Sequence, residues 1–254
     1  MSFTVPVLGQ SAFRNVLSRM DGFSSALMLA NIEPTAGQVV QAYVKAFPPD
    51  SRGLINEVTG WILAGTRRLT QPRFAWLIWL PWEVITRTWP ERDWGDYDPA
   101  GYPAFATLRL AGSVPNTRIN HRSGSDLAEL ASWPKLPDKI AFDEWVANAD
   151  SNAGNLIRLA PGRFAGVDHG EIFGGQYWEA STLPNWQGGS TKLWHIVADT
   201  YGRSELASAI RTAAAHHDST LTGALPALYT FWLHALEDSD IGAVVRWIKA
   251  RATR

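Results

Sequence analysis

The segment Asp143-Glu144-Trp145-Val146-Ala147-Asn148-Ala149-Asp150-Ser151-Asn152-Ala153-Gly154-Asn155 is followed, thirteen residues on, by Asp168-His169-Gly170. An Asp, an Asn five positions later and an Asp-x-Gly at a strand end supply oxygen donors in the order that phosphoryl-transfer sites use to hold Mg²⁺ and nucleotide phosphates. Between them, Leu156-Ile157-Arg158-Leu159-Ala160 and Arg163-Phe164-Ala165-Gly166-Val167 are short, largely apolar runs flanking Pro161-Gly162. Pro-Gly marks a turn, so the region predicts a β-hairpin. A two-residue turn centred there sets Asn155 opposite Asp168, with Cβ atoms roughly 4.5–5.5 Å apart. Mg²⁺ takes oxygen ligands, few from protein and the rest from phosphates and water. Asn155 and Asp168 are therefore the expected metal ligands. Asp150, where a helix should end, is the expected base or orienter of an attacking hydroxyl. The competing reading is structural: Asp, Ser, Asn and Gly also populate turns for local backbone reasons.

Composition bounds the alternatives. A chain of 254 residues can bury a large core, as one domain or as two lobes around a cleft. A net charge of −1 with 19% charged residues gives no bulk attraction to nucleic acid or anionic membrane. The absence of cysteine excludes disulfides, thiolate zinc sites and a Cys nucleophile. Met1-Ser2-Phe3-Thr4-Val5-Pro6 lacks the basic-then-apolar order of a signal peptide. Apolar runs fall far short of the ~18–20 residues that span a bilayer. A cytoplasmic protein with no membrane span is the expectation. The thirteen tryptophans read as core filling. The six histidines show no metal-ligand spacing, and His216-His217 reads as a helix end.

Upstream, Ala26–Asn31 and Val39–Phe47 read as strands joined through Glu33-Pro34-Thr35-Ala36-Gly37. On the second strand Lys45 shares a face with Gln41, Tyr43 and Phe47, a mid-strand lysine that is either an edge residue or a charge with a partner. Pro48-Pro49 ends that strand, and Leu54, Ile55, Val58, Trp61 and Ile62 recur at helical spacing. Glu57 borders the buried face of that helix, so Lys45 and Glu57 are a candidate pair for positioning nucleotide phosphates. Gly22 with Ser24 and Ser25, before the first strand, form a turn whose backbone N–H groups are candidate phosphate donors. Phe74–Leu80 and Ala104–Leu110 read as further strands, and 90–103 as an irregular loop. The backbone near Arg109 and Leu110 is the crossing point at which an adenine would bond. Asp126–Trp133 and Asp138–Ala149 read as helices, as do Thr191–Thr200, Arg203–His216, Leu221–Leu236 and Ile241–Ala252. Strands early and helices late predict an α+β fold, a small β-rich lobe (1–111) and a mainly helical one (112–254).

Phe142 through Leu156 resembles the signature of the HipA-like kinases, relatives of the phosphatidylinositol 3/4-kinases and, more distantly, of protein kinases. Val167-Asp168-His169-Gly170-Glu171-Ile172-Phe173 resembles the same family's metal-binding Asp and its flanks. Tyr43-Val44-Lys45, Asn56-Glu57 and Pro103–Thr107 resemble its lysine strand, helix glutamate and hinge strand. The resemblance runs from about residue 20 to 180 and is absent in the C-terminal helices. It implies a bilobal protein-kinase-like fold and ATP- and Mg²⁺-dependent transfer to a hydroxyl, with protein Ser/Thr as the first acceptor. A small molecule or phosphoinositide is the alternative acceptor, and a non-catalytic nucleotide-binding scaffold the alternative role. On this resemblance Asp150 acts on the hydroxyl, Asn155 and Asp168 hold Mg²⁺, and Lys45 with Glu57 contacts phosphates covered by the Gly22–Ser25 turn. One departure stands out. Kinases commonly carry a basic residue just after the catalytic Asp, whereas Ser151 and Asn152 follow here, leaving Arg118, Arg122 or Arg158 to supply a cation. Ser24 and Ser25 are candidate autophosphorylation sites.

Overall fold

The computed structural model describes residues 4–20, 25–111, 124–148, 150–185 and 191–253. The chain divides into two compact units. A sheet unit comprises Thr4–Leu54 and Pro72–Arg109, and a helical unit comprises Ile55–Gln71 and Leu110–Arg254. The class is α+β, with a six-stranded mixed sheet, a separate two-stranded hairpin and eight α-helices among the described residues.

The sheet strands are β1 (Val7–Leu8), β2 (Phe13–Met20), β3 (Ala26–Thr35), β4 (Gln38–Ala46), β5 (Ala75–Leu80) and β6 (Tyr102–Leu108), in the order β1-β5-β6-β4-β3-β2. Only the β1–β5 pairing is parallel. Period-2 alternation supplies the core: Ala26, Met28, Ala30 and Ile32 of β3 and Ala42, Val44 and Ala46 of β4 turn to the same side and are buried. They pack in one cluster with Trp76, Ile78 and Leu80 of β5 and with Ile85 of helix α2 (Trp82–Thr88) and Trp89 just beyond it. Trp94 closes the cluster edge-on to Tyr102, ring centroids 5.0 Å apart. Gly101 is required where it stands, since its φ is 95° and a Cβ there would lie 2.3 Å from the Leu80 carbonyl oxygen. β3 runs on to Thr35, so the turn expected over 33–37 contracts to Ala36-Gly37. Strands β1 and β2 were not anticipated from sequence. β2 is an edge strand, mostly exposed, with two register shifts against β3, and so it carries no alternating pattern.

In the helical unit the elements are α1 (Gly53–Thr66), α3 (Gly124–Ala131), α4 (Leu136–Trp145), hairpin strands β7 (Leu156–Ala160) and β8 (Arg163–Gly166), α5 (Lys192–Tyr201), α6 (Arg203–Ala214), α7 (His217–Ala235) and α8 (Asp238–Ala252). Leu127 and Leu130 of α3, Ile140 of α4, Leu193 and Val197 of α5, and Leu206 and Ile210 of α6 bury one cluster. Leu156 and Phe164 of the hairpin join it. Each such side chain contributes about 1.5–3 kcal/mol on burial. Thr191 caps α5, its hydroxyl accepting from the Trp194 N–H at 3.2 Å. The observed division differs from a simple cut at residue 111. It does fall between Arg109 and Leu110, but Ile55–Gln71, carrying all but the first residues of α1, belongs with the C-terminal half. The physical reason is that α1 hydrogen-bonds to residues 169–178 and to Trp232.

Candidate active site

The loop around Asp150 is held from below by a buried ion pair. Lys139 and Asp143 lie four residues apart on α4, and Lys139 Nζ donates to both carboxylate oxygens at 2.6 and 2.5 Å. They are 2% and 0% exposed, so each charge depends on the other. Ser151 Oγ donates to the same Asp143 carboxylate, and the Asn148 N–H donates to the Asp143 carbonyl at 2.8 Å. Asp143 thereby fixes the loop on both sides of Asp150. The Ser151 carbonyl then accepts the Leu193 N–H at 3.1 Å, tying the loop to α5. Helix α4 ends at Trp145, four residues before the expected end, because Ala147 takes a left-handed φ of 56°.

Asp150 itself is half-exposed. Its carbonyl accepts from Asn152 Nδ2 at 2.7 Å and from Asn155 Nδ2 at 2.9 Å. Asn152 Oδ1 in turn accepts the Gly154 N–H at 2.7 Å. Two side-chain amides therefore lock the turn, and the Asp150 carboxylate accepts from Lys192 Nζ at 2.5 Å and, on the same oxygen, from Asn152 Nδ2 at 3.4 Å. Both members of that pair are well exposed, at 59% for Lys192 and 46% for Asp150, so its own contribution to stability is small.

The hairpin forms with Pro161-Gly162 at its turn, Gly162 at φ 65°. The register differs from expectation by one residue. Ala160 faces Arg163, but a shift between Arg158 and Ala160 makes the lower pairs Arg158–Phe164, Ile157–Ala165 and Leu156–Gly166. Asn155 consequently pairs with Val167, whose N–H donates to its carbonyl at 2.9 Å, and not with Asp168. The extra residue, Leu159, forms a β-bulge, which a facing-position sum cannot anticipate. Asp168 follows one residue on, half-buried, in a left-handed conformation at φ 71°.

Helix α1 clamps what comes next. The Glu57 carboxylate, buried at 2% exposure, accepts the His169 N–H at 3.0 Å. Asn56 Nδ2 donates to the carbonyls of Gly170, Ile172 and Gly175 at 2.8, 3.1 and 3.0 Å. Asn56 Oδ1 accepts from Trp178 Nε1 at 2.9 Å. Gly60 permits the approach, since a Cβ there would lie 2.3 Å from that of His169. From the other side Asn148 Nδ2 donates to the Asp168 carbonyl at 3.3 Å, and the Phe173 N–H to the Val146 carbonyl at 2.8 Å. Left-handed non-glycine residues gather here: Ala147, Asp168 and Phe173 flank the loop, and Arg68 is the fourth among the described residues. Such conformations cost about 1–3 kcal/mol each and cluster at functional sites.

The other expected residues divide between the units. Lys45 is mid-strand in β4, half-buried, in register with Leu27 and Phe105. Ser25 is buried just before β3, its carbonyl accepting from Arg92 at 3.3 Å. Arg109 is exposed beyond β6; its N–H donates to the Gln41 carbonyl at 2.9 Å and its guanidinium to the Gln41 side chain. Leu110 is the first residue after the division between units. Gly22, Ser24, Arg118 and Arg122 lie outside the described residues. Arg158 is engaged by Glu129 at 2.8 Å. Asp150, Asn155, Asp168 and Glu57 therefore come together in the helical unit, while Lys45, Ser25 and Arg109 belong to the sheet unit. Lys139, Asn56, Asn148 and Lys192 were not picked out from sequence. The i,i+4 spacing of Lys139 and Asp143 was a usable signal; Lys192, 42 residues from Asp150, offered none.

Among the described residues no three His, Cys, Asp or Glu side chains converge as a metal-binding group. What the loop offers is an amide oxygen and a carboxylate, hard donors that suit a Mg²⁺ ion completed by phosphate and water. No protein-family model matches the chain, and no curated protein matches it in sequence.

Proposed function

We propose that this chain is a HipA-like kinase of bilobal protein-kinase-like fold, transferring the γ-phosphoryl group of ATP to a hydroxyl, with protein Ser/Thr as the acceptor class. The observation that carries the reading is the tie between Asp150 and the hairpin: Asn155 donates to the Asp150 carbonyl and, through Val167, fixes where Asp168 begins. Base and metal donors thus belong to one rigid segment, the condition under which positioning lowers a barrier. Asp150 accepts the proton of the attacking hydroxyl. Asn155 Oδ1 and the Asp168 carboxylate hold Mg²⁺, which supplies neutralisation of phosphate charge. Lys192 occupies the role left open after Asp150, a cation beside the carboxylate, steering and screening the transferred group. Lys45 and the Gly22–Ser25 turn enter as phosphate contacts on the sequence resemblance alone.

One observation favours a small-molecule acceptor instead. A cavity of about 540 Å³ lies in the segment after Asp168, lined among others by Glu171, Phe173, Gln176, Tyr177 and Trp178. That volume lies within the ~300–1,000 Å³ of small-molecule pockets. The test is turnover of γ-labelled ATP with Mg²⁺ by wild type, Asp150→Asn and Asp168→Ala, read together with intact mass. A kinase transfers label in the wild type, and Asp150→Asn lowers the rate about 10²–10⁴-fold while ATP binding persists. Transfer at wild-type rate by Asp150→Asn removes the assigned base. ATP binding with no turnover in any form selects the scaffold role.

A further inference from the structure

Away from that site, a pocket of about 310 Å³ opens where the end of α1 meets the start of α7. Its lining is Thr66, Arg67, Arg68, His216, Ser219 and Thr220, two guanidiniums, an imidazole and three hydroxyls, with no carboxylate and no aliphatic side chain. Arg67 is fixed: its Nη2 donates to the Asp138 carboxylate and to the Ala213 carbonyl at 3.0 Å. Its Nε, also buried, has no hydrogen-bond partner, so the guanidinium keeps a donor unused. Arg68 is exposed and held at φ 61°, the left-handed conformation that favours glycine just past a helix end. His216 precedes α7, a 19-residue helix, without a side-chain cap. Asp218, the acidic residue of that first turn, is not among the lining residues.

We propose that this pocket binds a phosphate monoester. Arg68 offers a guanidinium fork that matches phosphate oxygens in pairs and Arg67 adds its unused Nε–H. The three hydroxyls donate to the Ile62 and His216 carbonyls and serve as polar walls, and the volume exceeds a bare phosphate enough to admit part of the group that carries it. Burial first, then Arg67, His216 and Arg251 disfavour a proton on the neighbouring His217, while Asp138, the partner of Arg67, opposes them. The shared chemistry is the phosphoryl dianion, carried by a small metabolite or by a phosphorylated side chain. The inference does not depend on the kinase reading.

The test is calorimetric titration of O-phosphoserine and of inorganic phosphate, at fixed ionic strength, into wild type, Arg68→Gly and Arg203→Ser. Arg68→Gly removes the guanidinium while relieving the left-handed strain, so it should melt no lower than wild type, and a loss of binding cannot be a loss of fold. Arg203, paired on the surface with Asp199 at 2.7 Å, supplies the same charge change elsewhere. Saturable binding by wild type, weakened about tenfold or more in Arg68→Gly and unchanged in Arg203→Ser, is the expected result. Stronger binding of phosphoserine than of phosphate assigns the spare volume to the esterified group; equal binding assigns the pocket to the phosphoryl group alone. No saturable binding by wild type, or equal weakening in both variants, overturns the proposal.

Discussion

Asp143 has three dependants: the Lys139 ammonium, the Ser151 hydroxyl and the Asn148 N–H. Removing its carboxylate strands a buried charge, so Asp143→Ala should cost about 3–5 kcal/mol in denaturant unfolding. Lys139→Met with Asp143→Leu should recover much of that, because no unpaired charge remains. A double mutant as unstable as the single would show that the loop contacts, not the charge, set the cost. His217 supplies the pH signature. It is 3% exposed, stacked on Trp145 with centroids 4.6 Å apart, and burial first, then Arg67, His216 and Arg251, push its pKa from 6.5 to about 4. Asp138 opposes that push. The unfolded chain therefore binds more protons between those values, and stability present above pH 6.5 is lost as pH falls through about 4. His217→Phe should flatten the stability profile between pH 6.5 and about 5, before most carboxylates titrate; an unchanged slope would place the acid sensitivity elsewhere. At this scale the turn that joins Asp150 to Asn155 was legible, because Asp, Ser, Asn and Gly in that run favour local side-chain-to-backbone bonding. The bulge at Leu159 and the reach of Lys192 were not, since both depend on where the chain goes in three dimensions.

Elements were read best where two local signals coincided. Pro48-Pro49 followed by apolar residues at helical spacing announced α1, and Pro161-Gly162 between apolar runs announced the hairpin. α4 was overrun because Val146-Ala147 is good helix sequence and only tertiary bonding, Phe173 N–H to the Val146 carbonyl, turns the chain out of it. The hairpin turn gives a clean test. A Cβ on Gly162 would meet nothing within 4 Å, so Gly162→Ala carries only the penalty of φ 65°. A loss of about 1 kcal/mol is expected in denaturant unfolding. A much larger loss would mean that the bond from the Gly162 N–H to Glu129, 2.8 Å, is broken as well.

For the whole molecule, the sequence conveyed the class but not the path. An α+β chain with strands early and helices late was legible; that Ile55–Gln71 would leave the sheet and join the helical unit was not. Short-range pattern shows that a helix is amphipathic or buried but not which distant residues bury it. Each unit is therefore discontinuous in sequence, and a single cut at residue 111 severs the helical one. Fragment 112–254 made alone should lack cooperative unfolding, and adding fragment 1–111, which carries α1, should restore it; a 112–254 fragment that unfolds cooperatively alone would show that α1 is dispensable.

The same wiring sets a clock. Thr59 waits for Trp232, 173 positions downstream, and Asn56 for Gly170, 114 downstream. At translation rates of about 5–20 residues per second, the first of these intervals is on the order of ten to thirty seconds. During that delay the nascent chain holds an apolar helix with no bundle to receive it. A holdase that captures this helix at the ribosome exit should therefore raise the yield of folded chain, and translation with and without one checks it.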